Sequence, residues 1–120
     1  MEIITEKLRQ PERMIRTTLG EFLSKPDYDG MGIYVLSCYP SLKCLYVGIS
    51  QDVLLRLRQH LGAEKPLGKF IRAIMADACG FGLDILVAPD NDYEWCRQAE
   101  SRLIKQLRPM FNEQHLGEPC

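Results

Sequence analysis

Two short apolar runs, GIYVLSC at 32–38 and CLYVGI at 44–49, stand on either side of the turn-forming stretch YPSLK. Both are rich in β-branched, aromatic and other strand-favouring side chains, and together with the turn between them they predict a β-hairpin. Each strand sets a tyrosine close to a glycine. Gly32-Ile33-Tyr34 opens the first and Tyr46-Val47-Gly48 lies near the end of the second. Aromatic side chains favour strands for packing reasons alone, so Tyr34 and Tyr46 are either half-buried structural residues or chemical groups.

Around the hairpin the pattern is that of an α+β domain. Leu8, Met14, Ile15, Leu19, Phe22 and Leu23 recur near helical spacing, which predicts an amphipathic N-terminal helix over 5–24 that Pro11 can divide. Asp52 is a good N-cap for a helix reaching about Leu61, where Gly62 ends it; Val53, Leu54, Leu57 and Leu61 form its apolar stripe. A second helix, about 66–78, carries Leu67, Phe70, Ile71, Ile74 and Met75. Residues 81–88 predict a third strand, and a last helix runs from about Tyr93 to Leu107, ending before Pro109. The order α, β-β, α-α, β, α predicts a small three-stranded antiparallel sheet flanked by helices.

A chain of 120 residues forms one domain and buries enough surface to fold without staples. No stretch approaches the ~18 apolar residues of a membrane span. The N-terminus, MEIITEKLRQPERMIR, is charged throughout and unlike a signal peptide, so the expected setting is the cytoplasm, away from membranes. Cys38, Cys44, Cys79, Cys96 and Cys120 are odd in number and lack metal-ligand spacing, which predicts reduced, mostly buried thiols. The net charge of −1 argues weakly against a nucleic-acid partner. Its distribution is uneven: Arg56, Arg58, Lys65, Lys69 and Arg72 crowd one segment and Arg97, Arg102, Lys105 and Arg108 another, while Asp77–Glu94 holds five acids and no base. Two basic segments facing one side would make a positive surface on a neutral protein; two solvated helix faces are the alternative.

The last helix contains an anomaly. Ala99, Leu103, Ile104 and Leu107 define its buried stripe, and Glu100 lies at helical spacing from three of them. A carboxylate there is either one half of a structural ion pair or a metal ligand. On the earlier helix Arg56 and His60 are four residues apart on one face, where both can reach one anion or simply decorate a surface.

Taken in order, GIY, then YVG, then Arg56 in DVLLRLRQH, Glu100 in AESRLIKQLRPMFN and Asn112 make a chain that resembles the GIY-YIG endonuclease superfamily, in particular its UvrC-type excision-repair and homing-endonuclease domains. The resemblance spans about 31–112, leaving 1–30 as an N-terminal helical extension and 113–120 as a tail. It implies metal-dependent hydrolysis of DNA phosphodiesters with one Mg²⁺ or Mn²⁺ held by Glu100. Arg56 would bind the phosphoryl oxygens, Tyr34 would be the general base with Tyr46 as rival, His60 would bind phosphate or move protons, and Asn112 would orient the group. Gly32 and Gly48 would let the backbone turn and the substrate approach, with Arg58 and Lys69 as further substrate contacts. Some relatives carry lysines where this chain has Ile49 and Leu55. With no second DNA-binding domain in these 120 residues, the expectation is structure-selective cutting, a homodimer, or delivery by a DNA-targeting partner protein. An RNA substrate stays open, and the alternative class is a DNA-binding or protein-interaction module that keeps the fold without useful catalysis.

Overall fold

The computed structural model describes residues 8–38, 43–76 and 80–112, with the side chains of 74–76 excepted. The chain runs β1 (Arg13–Thr18), α1 (Leu19–Ser24), β2 (Gly32–Cys38), β3 (Cys44–Ser50), α2 (Val53–Gly62), α3 (Pro66–Ala76), β4 (Phe81–Val87), a 3₁₀ turn (Pro89–Asn91) and α4 (Tyr93–Leu107). The predicted YPSLK turn (except Lys43), the side chains of the stripe residues Ile74 and Met75, Cys79, Cys120 and the tail at 113–120 lie outside what is described.

The sheet has four strands, not the three that the sequence pattern predicts, in the order β1-β4-β2-β3, and every pair is antiparallel. The extra strand comes from the segment read as a helix over 5–24, of whose described residues, 8–24, only Leu19–Ser24 are helical. Its apolar spacing has another origin. Leu8 packs with the core on one side of the sheet, whereas Ile15, Leu19, Phe22 and Leu23 belong to the core on the other. Arg13–Thr18 pairs residue for residue with Val87–Gly82, satisfying the backbone of a buried strand that would otherwise end the sheet with open hydrogen-bonding groups. The described part of the N-terminal extension thus supplies the edge strand β1 as well as the short helix α1.

Both faces of the hairpin are buried, which is why its strands read as nearly continuous apolar runs rather than alternating ones. On one face Tyr34, Leu36, Tyr46, Leu83 and Ile85 pack against α1, α2 and α3; on the other Ile33, Val35, Val47 and Leu86 pack against Trp95, Cys96, Ala99 and Leu103 of α4. The helix starts follow their capping chemistry. Thr18, Asp52 and Asp92 each accept a backbone N–H from three residues on, at 3.2, 3.0 and 3.2 Å. At the far end of α4, Arg108 adopts the left-handed conformation and closes the helix onto Ile104. Among the described residues Cys44 and Cys96 are buried free thiols and Cys38 a partly buried one.

Candidate active site

The hairpin register sets the two tyrosines side by side. Tyr34 lies opposite Gly48 and Tyr46 opposite Leu36, so both phenols project from one face. Their ring centroids are 6.0 Å apart, with planes inclined by 28°. A bulge between Leu36 and Ser37 shifts the pairing where β3 begins. Gly48 is what lets the rings close in: a Cβ there would lie 2.5 Å from both the Cζ and the hydroxyl of Tyr34 and 2.8 Å from the Tyr46 ring. Gly32 serves a different contact, because its Cβ would lie 2.6 Å from the Leu86 carbonyl oxygen on β4. Neither glycine turns the chain, contrary to the expectation from sequence; both lie within strands and no described glycine has a positive φ.

From α2, His60 packs edge-on against both rings. Its Nε2 is 2.7 Å from the Tyr34 hydroxyl, and its ring meets Tyr46 edge-on at 4.9 Å. The three side chains are nearly closed to solvent, at 1% exposure for Tyr34, 5% for Tyr46 and 7% for His60. Burial pushes the Tyr34 phenol far above its ordinary range; Tyr46 and Glu100 add to the shift and the Arg56 guanidinium opposes it. Arg56 is partly buried, with Nη1 donating to Gln59 Oε1 at 3.3 Å. Arg56 and His60 thus share an influence on Tyr34, a link that their i, i+4 spacing alone does not reveal.

Glu100 is half-buried on α4, and burial raises its carboxyl above the usual range while Arg97 offsets this. No ion pair or hydrogen bond to its carboxylate forms among the described residues, so the structural ion-pair reading is not met there. No group of three or more His, Cys, Asp or Glu side chains gathers to hold a metal among those residues. A lone, accessible oxygen ligand fits one hard cation that keeps most of its water and phosphate ligands, and it does not fit an all-protein cage.

Asn112 sits at the sheet edge. Its Oδ1 accepts from the Val47 N–H and its Nδ2 donates to the Val47 carbonyl, both at 2.7 Å. The Met110 and Phe111 amides donate to the Cys44 and Leu45 carbonyls, so residues 110–112 line the outer edge of β3. Asn112 therefore fixes the backbone between Tyr46 and Gly48. Arg58 and Lys69 are exposed, and Lys69 Nζ lies 4.0 Å from Glu64. Sequence reading missed the structural link made by Gly68 and Arg72, which hold the end of α2; a glycine inside a strongly helical stretch was the available signal.

Residues 30–114 match the family described as the GIY-YIG catalytic domain. The chain belongs to the GIY-YIG family, whose members are generally nucleases acting on DNA. No curated protein and no solved structure matches it. The match begins after α1, so β2, β3 and β4 lie inside the matched region and β1 outside it.

Proposed function

We propose that the protein is an endonuclease that hydrolyses DNA phosphodiester bonds with the aid of one divalent ion, Mg²⁺ or Mn²⁺, at Glu100. The observation that carries this reading is the Tyr34 phenol, which meets His60 Nε2 at 2.7 Å and feels Tyr46, Arg56 and Glu100 together. β2, β3 and α2 meet at this phenol, and Glu100 of α4 acts on it through its charge. When bound at Glu100, the ion supplies Lewis-acid neutralisation of charge on the leaving 3′ oxygen.

The chain's own residues supply the rest. A phenol whose burial holds its proton offers no phenolate at neutral pH, so we assign Tyr34 to a relay. Tyr34 Oη accepts a proton from the attacking water as its own hydroxyl proton passes to His60 Nε2; the water oxygen bonds to phosphorus as the P–O3′ bond breaks, and the departing 3′ oxygen takes a proton from solvent. Arg56 donates to the phosphoryl oxygens as negative charge grows on them. Asn112 keeps β3 in register under Tyr46. The deep burial of Tyr34 favours Tyr46 as an alternative contact for the water.

We further infer that the enzyme selects DNA structure rather than sequence and acts as a homodimer or with a targeting partner, in the cytoplasm. Among the described residues no helix is long and apolar enough to cross a membrane. The second reading, a binding module without useful catalysis, is favoured by the near closure of both tyrosines. A nicking assay on supercoiled plasmid and labelled branched DNA separates the two. Wild type is expected to cut with Mg²⁺ or Mn²⁺ and not in EDTA, and Glu100→Ala to lose about a thousandfold in rate, the order of losing one strong electrostatic contributor. DNA binding without cutting by the folded wild type would favour the module.

A further inference from the structure

We propose that Arg72 is a positioning residue for the reaction: its guanidinium latches the last turn of α2 and so holds His60 against Tyr34. This rests on the relay assigned above. The last carbonyls of a helix lack intrahelical donors, and the turn they belong to is the first to fray. His60 lies in that turn of α2. Its carbonyl takes the Ala63 N–H at 3.2 Å, while Arg72 Nη1 donates to the Leu61 carbonyl at 2.6 Å and the Ala63 carbonyl at 2.9 Å. The other arm of the fork, Nη2, donates to Glu64 Oε1 at 3.1 Å.

Gly68, four residues earlier on α3 and so on the same face, completes the latch. A Cβ at Gly68 would run into the His60 carbonyl oxygen, lie 2.6 Å from that of Ala63 and come within 3.3 Å of Arg72 Nη1. One face of α3 therefore grips the peptide groups that carry His60. The imidazole must keep a 2.7 Å contact with a buried hydroxyl, and a displacement of about 1 Å in such a site costs up to about a hundredfold in rate. A planar fork bonded to two carbonyls and a carboxylate resists that displacement better than a single-point cation.

The test is made on the full chain with Arg72→Ala and Arg72→Lys, well below each variant's melting temperature. Two quantities are read: the ¹⁵N shifts of the His60 ring, which report whether Nε2 accepts a hydrogen bond, and the single-turnover nicking rate on supercoiled plasmid with Mg²⁺. Arg72→Ala is expected to lose the hydrogen-bonded Nε2 signature and about ten- to a hundredfold in rate with unchanged plasmid affinity, and Arg72→Lys to fall between it and wild type. A purely structural cap would lower the melting temperature and leave both quantities alone, and that result in either folded variant overturns the proposal. Should Arg72→Ala not fold, Arg72→Lys decides on the same readouts. If wild type itself cuts no DNA, the nuclease reading fails, and the ring shifts still decide whether Arg72 positions His60.

Discussion

Gly48 shows how one missing methyl group governs the candidate site. Its backbone is ordinary strand, so conformational freedom is not what the position requires; the Tyr34 ring occupies the space where a side chain would begin. Gly48→Ala is expected to cost about 1–3 kcal/mol through overpacking and to separate Tyr34 from His60. Gly62→Ala is the control, since nothing lies within 4 Å of a Cβ there, and a helical alanine should be neutral or stabilising by up to about 1 kcal/mol. Urea titration of the pair measures the contrast, and equal effects would show that the ring does not depend on the gap. The Gly48 and Gly68 contacts are alike in kind: each lets a neighbouring group approach a side chain of the candidate site or the backbone that carries one.

At the scale of elements, β3 is an edge strand whose outer side is occupied by residues 110–112 rather than by another strand. Asn112 contributes both a donor and an acceptor to Val47, reproducing with a side-chain amide the pair of bonds a neighbouring strand would make. Asn112→Ala leaves a buried N–H and a buried carbonyl without their partner, and the expected loss is about 1–3 kcal/mol. Hydrogen exchange should find the Val47 amide opened more than those of β2, which lies between two strands. Uniform loss of protection across the sheet would mean that Asn112 acts on the whole fold instead of on its edge.

For the whole molecule, burial of titratable groups on both sheet faces sets the response to alkali. Burial pushes the Cys44 and Cys96 thiols up to about 11, with Asp92 and Glu100 adding to Cys96, and holds the Tyr34 proton still more firmly. Each group binds its proton more tightly when folded. Its stabilising contribution is complete below the unfolded value, ~8.5 for cysteine and ~10 for tyrosine, and declines as pH rises toward the folded value. The melting temperature should therefore fall as pH rises from about 8.5 to 11, with Tyr34 contributing only above about 10. A Cys44→Ala, Cys96→Ala double variant should show a shallower fall between pH 8.5 and 10. Parallel curves would assign the alkaline loss to other groups.

The local code of the chain was sufficient for most elements, because their signals are short-range: β-rich runs for β2, β3 and β4, Asp52 as the side-chain cap of α2, and Pro109 beyond the end of α4. The order of GIY, YVG, Arg56, Glu100 and Asn112 was likewise enough to indicate the family. What the linear pattern could not hold was the destination of Arg13–Thr18, where apolar residues at helical spacing belong to two different faces of the sheet and the open edge of β4 outweighs local propensity. Nor could spacing reveal that His60 turns to Tyr34, that Asn112 clasps Val47, or that Glu100 has no ion-pair partner among the described residues. Those contacts join residues far apart in the chain, and only close packing of the layers brings them within a hydrogen bond's reach.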